Sequence, residues 1–270
     1  MSPVFANPSL WNATAQAFAV FGFLFQVFGD FAGYSLMAIG ISRFLGIELP
    51  ENFNYPLLSR SLPELWQRWH ITLNRWLFDY IFTPLTTSQG VFRGRINTAL
   101  VVTFLASGLW HGAAWTYVLW GALHGVGMVV HQQWDAFYRG LCRKDRKYVG
   151  IRKSAFYSVA CWVLTMGFFL LTLIPFRAGT LADAATVAGG LLGFAGDRGP
   201  SFGGLDGLAA LSGAAFIVGY HLLELRPLAR LRDRFLAAPP LVRGVAYGAA
   251  LVFLLIFTPV GSGSFIYQQF

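Results

Sequence analysis

Apolar residues fall into long blocks separated by short polar or basic stretches. The blocks predict membrane helices near residues 13–42, 97–111, 114–133, 156–175, 207–223 and 244–260. A spanning helix needs about 20 mainly apolar residues. The first block is long for one crossing and contains Gly29, Asp30 and Gly33, which predicts a kink or break there. The block 97–111 is short for a full span. It predicts a half-helix that stops inside the protein at Gly108 and Gly112, because irregular backbone at membrane depth survives only where protein buries it or a cavity meets it.

Residues 60–95 carry a different rhythm. Trp66, Trp69, Leu73, Trp76, Leu77 and Tyr80 recur at the spacing of one helical face, with Glu64, Arg68, Arg75 and Asp79 between them. The pattern predicts an amphipathic helix that lies in the interface or re-enters between spans. Pro63 suits its first turn, with Ser61 or Leu62 as cap. Pro84 and the polar run Thr86-Thr-Ser-Gln-Gly90 are expected to end it.

Composition fixes the class. The chain is 56% hydrophobic and 12% charged, against about 25% charged in a soluble domain. Its mean hydropathy is +0.54. The short alternating segments of an outer-membrane barrel are missing. The expected fold is therefore all-α: a polytopic helical membrane protein with a single membrane domain over residues 1–270.

The formal net charge of +8 does not point to nucleic acid, because the basic residues gather in blocks between apolar segments, as topology requires. Arg139, Arg143, Lys144, Arg146, Lys147, Arg152 and Lys153 form one block, and Arg226, Arg230, Arg232, Arg234 and Arg243 another. Between them, residues 176–206 carry only Arg177 and Arg198 as basic residues. The positive-inside rule places both basic loops in the cytoplasm and 176–206 outside. Counting spans backwards puts Arg60–Arg95 on the cytoplasmic side and the turn at His111 deep or towards the outside. Cys142 and Cys161 suggest neither a disulfide framework nor a thiolate metal site. Residues Met1–Trp11 lack the basic n-region and cleavage site of a signal peptide, so the first membrane segment is expected to be retained.

His111 is the leading candidate for chemistry. It sits in Ser107-Gly-Leu-Trp-His-Gly-Ala-Ala-Trp115, flanked by Trp110 and Trp115. An ionisable side chain at membrane depth is expensive and marks a functional site by default. A neutral imidazole there can act as a general base; the bland reading is a histidine that satisfies a helix end. His70 closes Trp66-Gln-Arg-Trp-His70, a position where a histidine is unremarkable taken alone. His124 and His131 are seven residues apart and share a helix face, more as a bundle-facing polar stripe than a metal pair. His221 reads as helix packing or interfacial. Asp30 can orient a histidine, line a polar tunnel or hold a helix break. Arg68 and Arg75 can bind a phosphate-bearing donor or simply anchor a helix.

Taken in order, several motifs resemble the membrane-bound O-acyltransferase family, in particular its bacterial branch that O-acetylates alginate and related polysaccharides. They are Asp30-Phe-Ala-Gly-Tyr-Ser35, Met37-Ala-Ile-Gly40, Glu51-Asn-Phe-Asn54 with Pro56, and Trp66-Gln-Arg-Trp-His-Ile-Thr-Leu73 with Trp76, Leu77, Asp79 and Tyr80. Gly108-Leu-Trp-His-Gly-Ala113, Trp120-Gly121, His124-Gly125 and Phe176-Arg-Ala178 complete the series. A lone Trp-His-Gly would be unspecific; this ordered set is not. Ala32 stands where family patterns usually have Ser, and Leu36 where they have a polar residue.

The resemblance implies a ring of helices around a central tunnel. His111 takes the family's catalytic base position and His70 that of its second functional histidine. Asp30, Trp69, Trp110, Asn74, Arg68 and His124 are expected to line the tunnel or meet substrates. An acyl group, acetyl by expectation, would pass from a cytoplasmic thioester such as acetyl-CoA, or an acyl carrier, to a hydroxyl reached from the other side. His70 or a nearby Trp or Asn would steady the oxyanion. The acceptor would be an exported polysaccharide or a periplasmic partner protein. No bound cofactor or metal is implied, and the setting is the cell inner membrane. Family members carry further membrane helices before the Asp30 motif, so the chain is expected to correspond to the C-terminal portion of such a fold. Two other classes stay open. A transporter predicts inverted repeats, and no second copy of the first half is visible. A non-catalytic remnant, or a scaffold in a polysaccharide-modification complex, would keep the motifs without the chemistry.

Overall fold

The computed structural model describes residues 2–87, 93–193, 215, 218–222 and 226–257. Among these residues the regular elements are helices, and one isolated antiparallel bridge joins Phe53 to Trp69. Two helices are long and apolar enough to cross a bilayer, α2 (Ala13–Phe44) and α9 (Ala155–Arg177). A third crossing is available where Arg230–Leu236 and Pro240–Phe253, bent by 110°, act as one broken span. The all-α membrane architecture is the one the sequence predicts. The expected span at 207–223 lies largely outside the described residues, of which 218–222 are helical.

The short helix α1 (Ser2–Ala6) precedes α2 and packs against it. α2 starts at Asn12, whose side chain accepts a hydrogen bond from the Ala15 N–H at 2.9 Å, supplying the capping acceptor that a helix start needs. It then runs unbroken through Gly29, Asp30 and Gly33, so the predicted break does not form. The reason is local: Val27, Phe28 and Ala32 are buried against the core, while a Cβ at Gly33 would meet open space.

The amphipathic run at 60–87 is not one helix. α3 (Leu62–Arg68) is capped by Ser61, which accepts from the Glu64 N–H at 3.3 Å, with Pro63 in the first turn as predicted. Trp69 is then extended and His70 left-handed, with φ 45° and ψ 52°. Only beyond this break does α4 (Ile71–Leu77) begin, followed by a π-helical turn at Phe78–Phe82 and α5 (Thr83–Thr87). Pro84 does not end the helical run, which passes from the π-helical turn into α5 without a break. A left-handed L-residue costs roughly 1–2 kcal/mol. Cross-chain hydrogen bonds offset that cost: Asn54 N–H donates to the Arg68 carbonyl at 2.9 Å, and Ile71 N–H to the Asn52 carbonyl at 3.0 Å.

α6 (Ile96–His111) has 16 residues, too short to cross at about 1.5 Å per residue, and stops at Gly112 as expected. It pairs tightly with α7 (Trp115–Lys144). A Cβ on Gly108 would run into the Tyr117 carbonyl oxygen, and one on Gly121 into that of Phe104. Such small residues let membrane helices approach closely. α7 extends past the predicted end at residue 133. The basic stretch expected as a loop is its last turns together with α8 (Arg146–Lys153). Asp135 holds this region together by pairing with Arg139 at 3.1 Å and Arg152 at 2.6 Å.

The stretch 176–206, expected as an outer loop, contains a further helix, α10 (Leu181–Leu191), capped by Thr180. Its 11 residues are too few to span, and it packs on α1, α2 and α9. The core these elements share is largely aromatic: Phe23, Phe28, Trp66, Trp69, Phe104, Trp120, Phe169 and Phe176.

Candidate active site

Two histidines arrive at one point from separate elements. His111 is the last residue of α6, where Gly112 ends the helix. Its ring lies 4.9 Å from Trp110, 5.2 Å from Trp120 and 4.8 Å from Phe176, centroid to centroid. His70 sits in the break between α3 and α4, its ring edge-to-face with Phe31 at 4.6 Å and Trp110 at 5.8 Å. Trp110 therefore touches both imidazoles. A cavity of about 20 Å³ is lined by His70 and His111 together with Trp66, Trp69, Trp120 and Phe176, among others. That is room for about one water.

A larger cavity of about 160 Å³ lies on the other side of Trp66, His70 and Leu73, which line both. Its wall is mainly apolar, from Leu77, Phe78, Phe82, Leu100 and Phe104, with Gln67, Asn74, Thr103 and Ser107 as polar points. Asn74 thus belongs to this space and not to the His111 side.

The polar atoms at the smaller cavity are unusual. Nε2 of His70 and the indole Nε1 atoms of Trp66 and Trp120 are buried without a hydrogen-bond partner. Buried polar groups are ordinarily bonded, so these three side chains, all of which line the cavity, stand out; Nδ1 of His124, packed against Trp66 and Trp120, is likewise unpartnered. The other nitrogen of His70, Nδ1, lies 3.2 Å from Oδ1 of Asn52. Asn52 belongs to the Glu51-Asn-Phe-Asn54 motif, but its spacing from His70 gives no sequence signal of contact.

The remaining expected residues divide clearly. Trp69 is buried between Phe53 and Phe169 and lines the small cavity. Arg68 pairs with Glu64 at 3.2 Å and donates to the Asn54 carbonyl at 3.3 Å, so it clamps the turn that carries His70. Asp30 is half-buried on α2; it bonds to neither histidine and lines none of these cavities, although its neighbour Phe31 packs on His70. His124 is fully buried, with Nε2 3.0 Å from Thr172 Oγ1 and the rings of Trp66, Trp120 and Phe168 within about 5.3 Å. It lines neither cavity. His131 borders a separate polar cavity of about 600 Å³ with Arg60, Asp135, Arg152 and Cys161. His221 accepts from the Leu57 N–H at 3.2 Å, a packing role as expected.

Comparison with known proteins gives this arrangement a context. The family model described as MBOAT, membrane-bound O-acyltransferase family, matches residues 1–176. A peptidoglycan O-acetyltransferase of Helicobacter pylori is 38% identical over 172 residues, covering 64% of this chain and 30% of the relative. A probable alginate O-acetylase AlgI of Pseudomonas putida is 33% identical over 236 residues, 87% of this chain and 44% of the relative. A teichoic acid D-alanyltransferase of Streptococcus thermophilus is 37% identical over 134 residues, 47% of this chain and 32% of the relative. The chain spans less than half the length of each of these relatives.

Proposed function

From the premise that the chain belongs to the membrane-bound O-acyltransferase family, we propose that it transfers an acyl group, acetyl in the first instance, from a cytoplasmic thioester to a hydroxyl on the far side of the cell inner membrane. The relatives named for alginate, peptidoglycan and teichoic acid favour an exported or envelope polysaccharide as acceptor, with a periplasmic partner protein as the variant. The observation that carries the proposal is the convergence of His70 and His111 on one small, aromatic-walled cavity.

The chemistry follows from the parts. The acyl end of acetyl-CoA, or of an acyl carrier, fits the larger, mainly apolar cavity beside Asn74 and approaches the wall formed by Trp66, His70 and Leu73. The acceptor hydroxyl meets it at the smaller cavity. His111 takes the hydroxyl proton while oxygen bonds to the thioester carbon; the C–S bond breaks, and the thiol leaves with a proton. Direct transfer needs no acyl-enzyme. Negative charge on the carbonyl oxygen needs donors already in place, and the indole N–H groups of Trp66 and Trp120 are unpartnered donors on side chains that line this cavity. Much of the acceleration comes from holding both reactants in line.

The test is His111→Ala in cells lacking the native gene. O-acetyl content of the envelope polysaccharides is expected to fall to the level of the deletion strain while the protein accumulates in the membrane. Acetylation at the wild-type level would overturn the base assignment. No difference between wild type and deletion would favour a scaffold instead.

A further inference from the structure

We propose that Asn52 is a positioning residue that holds His70 as the Nδ1–H tautomer and so presents Nε2, as a proton acceptor, to the cavity shared with His111. The proposal rests on the acyl-transfer reading for its purpose but not for its geometry.

The geometry starts with the orientation of the Asn52 amide. Its Oδ1 accepts from the backbone N–H of Thr72 at 3.3 Å and from Thr72 Oγ1 at 3.0 Å, while Nδ2 donates to Ser35 Oγ at 3.2 Å. A backbone N–H can only donate, so the atom facing it must be the amide oxygen. The same oxygen lies 3.2 Å from His70 Nδ1, across 18 positions of sequence. An amide oxygen cannot donate, so His70 must do so through Nδ1–H. In the neutral ring this leaves Nε2 with its lone pair, and Nε2 is the buried atom without a partner.

The backbone is built for this. Asn52 also accepts the Ile71 N–H on its own carbonyl at 3.0 Å, so one residue grips His70, Ile71 and Thr72 in turn. His70 stays in the left-handed region at φ 45°, a conformation rare for a residue with a side chain. Backbone strain of this kind persists only where its surroundings over-determine it. The consequence is chemical. A neutral His70 in this tautomer offers nothing to an oxyanion; it offers a base. Proton acceptance is thus provided by a pair of imidazoles, and oxyanion stabilisation falls to donors such as the two indoles.

The test uses the full chain in lipid nanodiscs, labelled with ¹⁵N-histidine. In solid-state NMR, the resonance pair lost in His70→Gln is expected to show the Nδ1–H, bare-Nε2 pattern. Asn52→Leu should move that pair towards the other tautomer and leave the His124 pair in place. With acetyl-CoA and alginate oligosaccharide as probes, Asn52→Leu is expected to lower kcat roughly ten- to a hundredfold with little change in KM for acetyl-CoA. Asn52→Asp keeps the acceptor and adds a charge that favours the imidazolium. The acid limb of its rate profile should therefore move to higher pH, by about one unit. The other titratable group lining the cavity is His111, and Arg68 and Glu64 of α3 pair with each other. An Nε2–H tautomer in the wild type, or an unmoved pair in Asn52→Leu together with an unmoved acid limb in Asn52→Asp, would overturn the proposal. A wild-type protein that transfers no acetyl group but shows the Nδ1–H pattern would sink the acyl-transfer reading and uphold the tautomer.

Discussion

His70 and His124 are both buried imidazoles against Trp66 or its neighbours, yet their surroundings differ in kind. His124 lies on a regular stretch of α7, bonds to Thr172, is enclosed by aromatic rings, and lines neither of the two cavities at His70. Thr172 Oγ1 donates to the Phe169 carbonyl at 2.7 Å, which leaves it to accept from His124. His70 lies at a backbone break, is gripped by Asn52, and faces a cavity that His111 also lines. Burial is common to both. So is an unpaired ring nitrogen, Nε2 in His70 and Nδ1 in His124. What separates a site from a packed polar residue is irregular backbone next to open volume.

That contrast is best attacked at its strong end. His70→Ala is expected to lower acetyl transfer by about a hundredfold or more, the usual scale for losing a proton-transfer group. The readout is initial rate in membranes normalised to protein amount. Gly108→Ala disturbs both regions at once, because its methyl group would strike the Tyr117 carbonyl where α6 meets α7. Overpacking of this kind costs about 1–3 kcal/mol, and should appear as a lower melting temperature in detergent as well as lost activity. His124→Leu removes a hydrogen bond but fills the same aromatic sleeve; its rate is expected to stay within about fivefold of wild type, consistent with the modest net worth of one such bond. Trp110→Phe should have the smallest effect, since a half-exposed ring that touches both histidines keeps much of its contact as phenylalanine.

Much of this was legible in the residues themselves. Apolar block lengths gave the helical membrane class and the short α6, and the ordered motifs singled out His70 and His111. The break at Trp69–His70 was not legible, because the apolar rhythm from Trp66 to Tyr80 continues across it as though one helix ran through. Tertiary hydrogen bonds from Asn52 and Asn54 override that local pattern. The role of Asn52 is not legible from its motif, since nothing in linear spacing says that the chain returns to His70. α10 is hidden for the opposite reason: a charge-poor sequence invites a reading of membrane side and conceals a capped helix. Asp30 stands out in the sequence as an intramembrane charge, yet it bonds to neither histidine; its neighbour Phe31 is the residue that packs on His70.

The central claim is that the cavity histidines act in the reaction and the sleeve histidine does not. The most direct measurement compares envelope O-acetyl content for His111→Ala and His124→Leu at matched protein levels in a strain lacking the native gene. A deletion-like value for His111→Ala beside a near-wild-type value for His124→Leu is the predicted result. Equal losses in both, or a normal value for His111→Ala, would contradict it.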